Sequence, residues 1–286
     1  MNLQLLTPIE KNLGTFSVKR LLPSPKRHMV GPWIFFDHFG SATLNAGEGL
    51  DVRPHPHINL GTVTYLFSGE IVHRDSLGSH QSILPGDIKL MIAGNGIVHS
   101  EREPDNVRSE KRVLHGLQFW FALPEEDEET DPAFYHYPAE QIPQDTIDGV
   151  QVRILIGQGV GMNSPVKTFS PIFFAAVSVT EDQQLELPAL KEYAIYIIKG
   201  ELQSSHDILD EKCMFAAQDS EDVFLKARKN TQFVIIGGDS MGKRHISWNF
   251  VSSRSEHIAQ AKEDWKNRRF PVVPGDEHEY IPPPDG

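Results

Sequence analysis

Four residues stand in a pattern that could hold a metal ion: His55, His57, His99 and Glu101. They come as two pairs, each spaced i, i+2. On an extended strand such residues point to the same face. His55-Pro56-His57 therefore projects two imidazoles together, and His99-Ser100-Glu101 projects an imidazole and a carboxylate. Two strands carrying these pairs, meeting across a β interior, would offer three nitrogens and one oxygen to a single point. That donor set suits Fe(II), Mn, Ni, Cu or Zn and suits Ca or Mg poorly, since those prefer oxygen. Four protein ligands plus water or substrate fit an octahedral ion better than tetrahedral zinc. The spacing leaves a bland alternative open. An isolated His-x-His is common, and Glu101 could instead pair with Arg102 or Arg53 in a surface salt bridge.

Other chemistry-bearing residues give weaker signals. His38 and His115 read as satisfied, hydrogen-bonded histidines near a cavity. His73 and His80 read as surface residues around a turn. Gly94-Asn95-Gly96 is not a phosphate loop. It lacks the following Lys and Ser/Thr and leads into a strand. It reads as a tight turn that brings backbone close to the metal pocket. No Gly-x-Ser-x-Gly elbow and no Cys/His nucleophile is present. Cys213, the single cysteine, has Met214 and Phe215 beside it and reads as a small buried hydrophobe.

The elements that must position these residues are mostly β. Stretches rich in Val, Ile, Phe, Tyr and Thr, such as 62–67, 88–92, 117–123, 172–179, 193–198 and 232–236, alternate with Gly, Pro, Asp and Asn clusters. Pro85-Gly86-Asp87 has type II turn chemistry. A short pattern recurs. Tyr65-Leu66-Phe67-Ser68-Gly69-Glu70 resembles Tyr196-Ile197-Ile198-Lys199-Gly200-Glu201, which favours a duplicated β-barrel. The acidic run 125–131 reads as a solvated connection. The expected division is therefore 1–135 for the first barrel and 136–286 for the second. Ser253-Arg254-Ser255-Glu256 has capping-box spacing, and Ile258, Ala261 and Trp265 follow at helical spacing. Together they predict one helix packed by an apolar stripe. Residues 282–286 read as an extended tail.

Bulk properties exclude some classes. The 286 residues are 39% hydrophobic and 23% charged, which is globular, with a formal net charge of −12. Nucleic-acid binders neutralise phosphates with basic surfaces, so direct nucleic-acid binding is not expected. No apolar run reaches the roughly 18 residues of a membrane span. The N-terminus lacks signal-peptide features and a lone cysteine forms no internal disulfide, so the cytoplasm is the expected location.

At the level of motifs the sequence resembles the pirin family of the cupin superfamily. The likeness runs through residues 14–20, GPWIFFDHFG (31–40), RPHPHINLGTVTYLFSGEIVHRDSLG (53–78), PGDIKLMIAGNGIVHSE (85–101), LHGLQFWFALPEEDEE (114–129) and the segment 248–282. It implies an all-β bicupin: two antiparallel β-barrel (jelly-roll) domains with a short C-terminal helix. It implies one metal, usually iron, held by His55, His57, His99 and Glu101 in the first domain. Cupins often place a carboxylate shortly after His-x-His, but here Gly61 and Thr62 stand there and Glu101 takes its place. In the second domain the equivalent positions are Glu186 and Pro188, so a metal-free barrel is expected. The resemblance implies two roles. One is a quercetin 2,3-dioxygenase-type oxygenase using a flavonol and O2, with Glu101 as general base. The other is a non-enzymatic, iron-dependent regulator that binds a protein partner. Phe35, Phe36, Phe67, Met91 and Trp120 are possible pocket walls.

Overall fold

The computed structural model describes residues 3–12, 17–204, 207–218 and 224–284. Residues 14–16 of the first motif, His206 and residues 285–286 of the tail lie outside them. The fold is built of antiparallel sheets, as expected, in the jelly-roll arrangement. The sheets are open rather than closed into barrels.

The chain divides into two compact units, and neither is continuous in sequence. One comprises residues 1–10, 19–36 and 140–240; the other comprises 11–18, 37–139 and 241–286. The expected linear split thus differs at both termini. Gln4–Leu6 pairs with Met214–Gln218 in the first of these units, while the C-terminal helix belongs to the other.

In the unit dominated by residues 140–240, a sheet runs Gln4–Leu6, Met214–Gln218, Glu192–Lys199, Thr231–Gly238, Ile172–Val179, Val150–Ile156 and Gln144–Ile147. A smaller sheet holds Gln184–Glu186, Phe224–Ala227, Glu201–Gln203 and Ile208–Asp210. Their inner faces share one core that includes Val152, Phe173, Tyr193, Ile195, Leu202, Leu225 and Phe233. Cys213 is partly buried against it. Trp33 is fully buried, and its indole N–H lies 3.2 Å from the Phe173 carbonyl and 3.1 Å from that of Gly237. This satisfies the polar end of a large apolar group.

In the unit that carries the histidine motifs, a four-stranded sheet runs Asp51–His57, Ile97–Arg102, Ile71–Asp75, His80–Ile83. In its larger sheet, Ala133–Tyr137, Ile88–Ile92, Leu60–Ser68, Arg112–Ala122 and residues 37–44 of the strand Trp33–Leu44 follow one another. The turns carry the predicted chemistry. Gly86 has φ 87° in the turn closed by the Asp87 amide on the Leu84 carbonyl. Gly94 has φ 49°, and a Cβ there would lie 1.9 Å from the Thr130 carbonyl oxygen, so only glycine fits. The two recurring hexapeptides each end a central strand at a positive-φ glycine, Gly69 and Gly200.

The predicted helix is Ser255–Lys266, with Ile258, Ala261 and Trp265 as its buried face. They pack with Ile58, Val98, Phe250 and Val273. The capping box does not form: no side chain caps the helix. Ser253 is taken instead by Glu128, which accepts from its amide at 2.8 Å and its hydroxyl at 3.0 Å. The acidic run is accordingly not all solvated. Glu128 is buried and also accepts from Ser252 at 2.9 Å and Asn59 at 3.1 Å. Arg244 Nε lies 3.0 Å from its other oxygen. One carboxylate thus ties three separate segments together. Removing it strands a buried guanidinium, and such losses cost about 3–5 kcal/mol. Glu128→Ala is expected to lose that much in denaturant unfolding. Glu125→Ala, at an exposed neighbour of the same arginine, is expected to lose less than about 1 kcal/mol.

Candidate metal centre

The register of the four-stranded sheet assembles the site. His99 sits opposite His55 on one side and opposite Asp75 on the other. Glu101 sits opposite His73. Between His99 and Glu101 the pairing with Asp51–His57 slips by a bulge, so Glu101 faces Val52 there. The extra residue lies on the Asp51–His57 strand, between Val52 and His55, while Glu101 keeps its regular place opposite His73.

The outcome has two overlapping clusters. One ligand atom from each of His55, His57 and His99 lies within 4.8 Å of the others. The same holds for His73, His99 and Glu101. The structure therefore brings together the three expected histidines. No single cluster at that spacing unites all four expected residues, and His73, read from sequence as a surface residue, is fully buried among them. Its neighbourhood to the turn at Gly78 obscured it. The usable signal was His73-Arg74-Asp75, a third i, i+2 pair of metal-site residue types.

Each imidazole is held by its other nitrogen. His55 Nδ1 is 2.9 Å from the Arg53 carbonyl, and His57 Nδ1 is 2.9 Å from that of Asn249. A carbonyl only accepts, so both Nδ1 atoms carry the proton and both Nε2 lone pairs are left for a ligand. His73 Nε2 is 2.9 Å from Asp75 Oδ2, and His73 Nδ1 is 3.4 Å from His99 Nδ1. Asp75 in turn accepts from the amides of Leu77 and Ser79. The chain of partners assigns Nε2–H to His73 and Nδ1–H to His99. His99 Nε2 is then a bare acceptor, and it is buried with no hydrogen-bond partner. An orphaned buried lone pair is costly. Within a cluster of three imidazoles it fits a metal ion. This is the outer-shell carboxylate–histidine arrangement that orients metal ligands.

Electrostatics agree with neutral imidazoles. Burial, with the positive charges of neighbouring groups, holds His57 and His99 well below the ordinary histidine range, and burial lowers His55 as well. Burial and then the charge of Lys89 bring His73 down to about 4. Burial works upward on Glu101, but the charge of Lys89 and its hydrogen bond hold the carboxyl below the usual range. The site is thus a set of neutral nitrogens beside an ionised carboxylate, ready for a divalent transition metal without losing protons.

His38 and His115 hydrogen-bond each other, Nε2 to Nε2 at 2.8 Å, with the Phe67 ring 4.6 Å from that of His115. His80 is exposed. Trp120 meets His57 edge-on at 5.0 Å between centroids, which makes it a wall of the centre. Met91 is fully buried.

Comparison with known proteins now bears on the site. The pirin family model matches residues 15–121, and the model of the pirin C-terminal cupin domain matches 174–271. This chain belongs to the pirin family. A pirin-like protein of Caulobacter vibrioides is 42% identical over 96% of both chains. Human pirin is 29% identical over 88% of this chain and 87% of its own. The crystal structure of a quercetin 2,3-dioxygenase from Acinetobacter baumannii superposes with a TM-score of 0.89 at 32% identity, covering 100% of this pirin and 95% of that chain. Among the described residues, no helix is long and apolar enough to cross a membrane.

Two outcomes follow for His73. His73→Phe keeps the ring stacked on Phe134 but removes the hold on His99. Loss of such a partner typically weakens metal affinity about 10- to 100-fold, readable by chelator competition. The second is acid stability. His73 folds with a depressed pKa, so its contribution is full above the unfolded value of 6.5 and is lost as pH falls toward about 4. In metal-stripped protein that loss amounts to about 3 kcal/mol, and His73→Phe should flatten the pH dependence of unfolding over this window.

Proposed function

We propose that this pirin is a mononuclear metal-dependent oxygenase of the quercetin 2,3-dioxygenase type. The observation that carries the reading is the orphaned Nε2 of His99 within a cluster of three neutral imidazoles, next to an ionised glutamate. His55, His57 and His99 would hold the metal, with Glu101 as fourth ligand. Iron(II) is the ion we propose; Mn, Ni, Cu and Zn suit the same donors. A bound metal would supply Lewis acidity to a ligand that chelates through adjacent hydroxyl and carbonyl oxygens.

The chain's own residues supply the rest. Glu101 is ionised and can take the proton of the flavonol 3-hydroxyl as general base. Trp120, edge-on to His57, gives an aromatic wall suited to a flat ligand. Burial of all three histidines excludes bulk water from the electron-rich flavonolate. Reaction with one O2 then opens the heterocycle and releases one carbon as carbon monoxide. Similarity over the full chain to a protein crystallised as quercetin 2,3-dioxygenase supports the substrate class. The location we propose is the cytoplasm.

The test is oxygen uptake and quercetin loss by protein of known metal content. Wild type should turn over, and Glu101→Ala should lose about 100-fold or more of the rate, the usual worth of a positioned base. Fully iron-loaded wild type without turnover would overturn the oxygenase reading. That result would favour a metal-dependent regulator, for which a net charge of −12 suits a basic protein partner.

A further inference from the structure

We propose that Lys89 competes with the metal for Glu101, which makes that carboxylate a detachable fourth ligand of the three-histidine centre. The inference rests on the metal-binding part of the reading above. It starts from an oddity of placement. Lys89 is fully buried in the strand Ile88–Ile92, whose other residues are Ile, Leu, Met and Ile. Lysine is almost never fully buried unless it is paired. Here it puts a positive charge into the pocket that collects a metal cation, where its field acts on His55, His57, His73 and His99. Like charges at such range weaken metal binding. The placement therefore costs the centre affinity and calls for a local reason.

Its contacts supply one. Lys89 Nζ lies 3.2 Å from Glu101 Oε1 and 3.1 Å from Thr62 Oγ1. Thr64 Oγ1 lies 3.2 Å from the same Glu101 oxygen and 2.7 Å from Gln118 Oε1. A hydroxyl has one proton, and the shorter contact takes it to Gln118, so the ammonium of Lys89 is the firm donor to Oε1. In this state Glu101 clusters with His73 and His99 but not with His55 and His57. To complete the set around those two histidines, it must give up the grip.

The grip is of a kind that can be exchanged. An ammonium is a compact point charge and does not lock a carboxylate in the two-point fashion of a guanidinium. A glutamate with a second resting place can leave the metal when a chelating ligand arrives. It does so without being stranded as a buried, unpaired charge, the situation that makes breaking buried pairs so costly. Lys89 is on this view a positioning residue that acts through Glu101.

The experiment uses full-length, metal-stripped protein titrated with Co(II) against a chromophoric chelator, with the visible bands of bound cobalt recorded. Competition predicts that Lys89→Met tightens cobalt binding by about tenfold or more, the lower end of what outer-shell changes do to metal sites. The cobalt bands should weaken as the coordination number rises. In a Glu101→Gln background the same substitution should change affinity by less than about threefold. Equal gains in both backgrounds would overturn the proposal, since Lys89 would then act only as a charge through space. So would an unchanged affinity and spectrum in Lys89→Met. Lys89→Gln keeps a donor without the charge and should show a smaller gain of the same sign. If circular dichroism shows Lys89→Met misfolded, the comparison between the two backgrounds is made with Lys89→Gln on the same criteria. Wild type that binds no cobalt would overturn the metal reading itself, and this inference with it. Wild type that binds cobalt while Lys89 proves silent overturns this inference alone.

Discussion

Pairing of the strand Ile97–Arg102 with its neighbours on both sides is what the centre is made of. Hydrogen bonds of the backbone ladder, not any attraction between imidazoles, set His99 opposite His55 on one side and Asp75 on the other. Three rings within 4.4 to 5.1 Å of one another have little reason to gather in a dry interior. Burial disfavours their charged forms, and their lone pairs face one another. The ladder imposes the meeting, and a one-residue slip would send the whole set to the opposite face of the sheet. The ladder with Ile71–Asp75 runs unbroken past Glu101, while the one with Asp51–His57 takes up an extra residue between Val52 and His55.

Around the rings, the polar groups form a graded arrangement. Backbone carbonyls fix the outer nitrogens of His55 and His57. An ionised aspartate, pinned by turn amides, fixes His73 and through it His99. On the other flank, all from the larger sheet, Lys89 and Thr64 reach one carboxylate, and Thr62 and Gln118 accept from those two in turn. The two sheets thus have different tasks. The small one carries the nitrogen donors, and the large one governs the oxygen donor.

Much of this was legible in the sequence, for a physical reason. Period-two spacing survives translation into structure wherever a strand forms, so His55, His57 and His99 converge as their spacing predicts. Glu101 followed the same rule and clustered with His73 and His99, because it sits in regular register opposite His73, and which strand lies alongside leaves no mark in the spacing of one. His73 was hidden by the opposite bias: residues near a glycine turn are usually wet, but this one lies under Phe134. Ser253 had the right spacing for a helix cap, yet a buried carboxylate far back in the chain outcompeted the helix for it. Glu128 itself looked like one acid among several. Only tertiary placement separates the buried member of such a run from the exposed ones.

The carbonyl that orients His57 belongs to Asn249, beyond the strands that bear the ligands and after the whole span of residues 140–240. During synthesis the nitrogen donors emerge from the ribosome long before this last orienting group. A chain at that stage has its histidines but not the final hold on one of them.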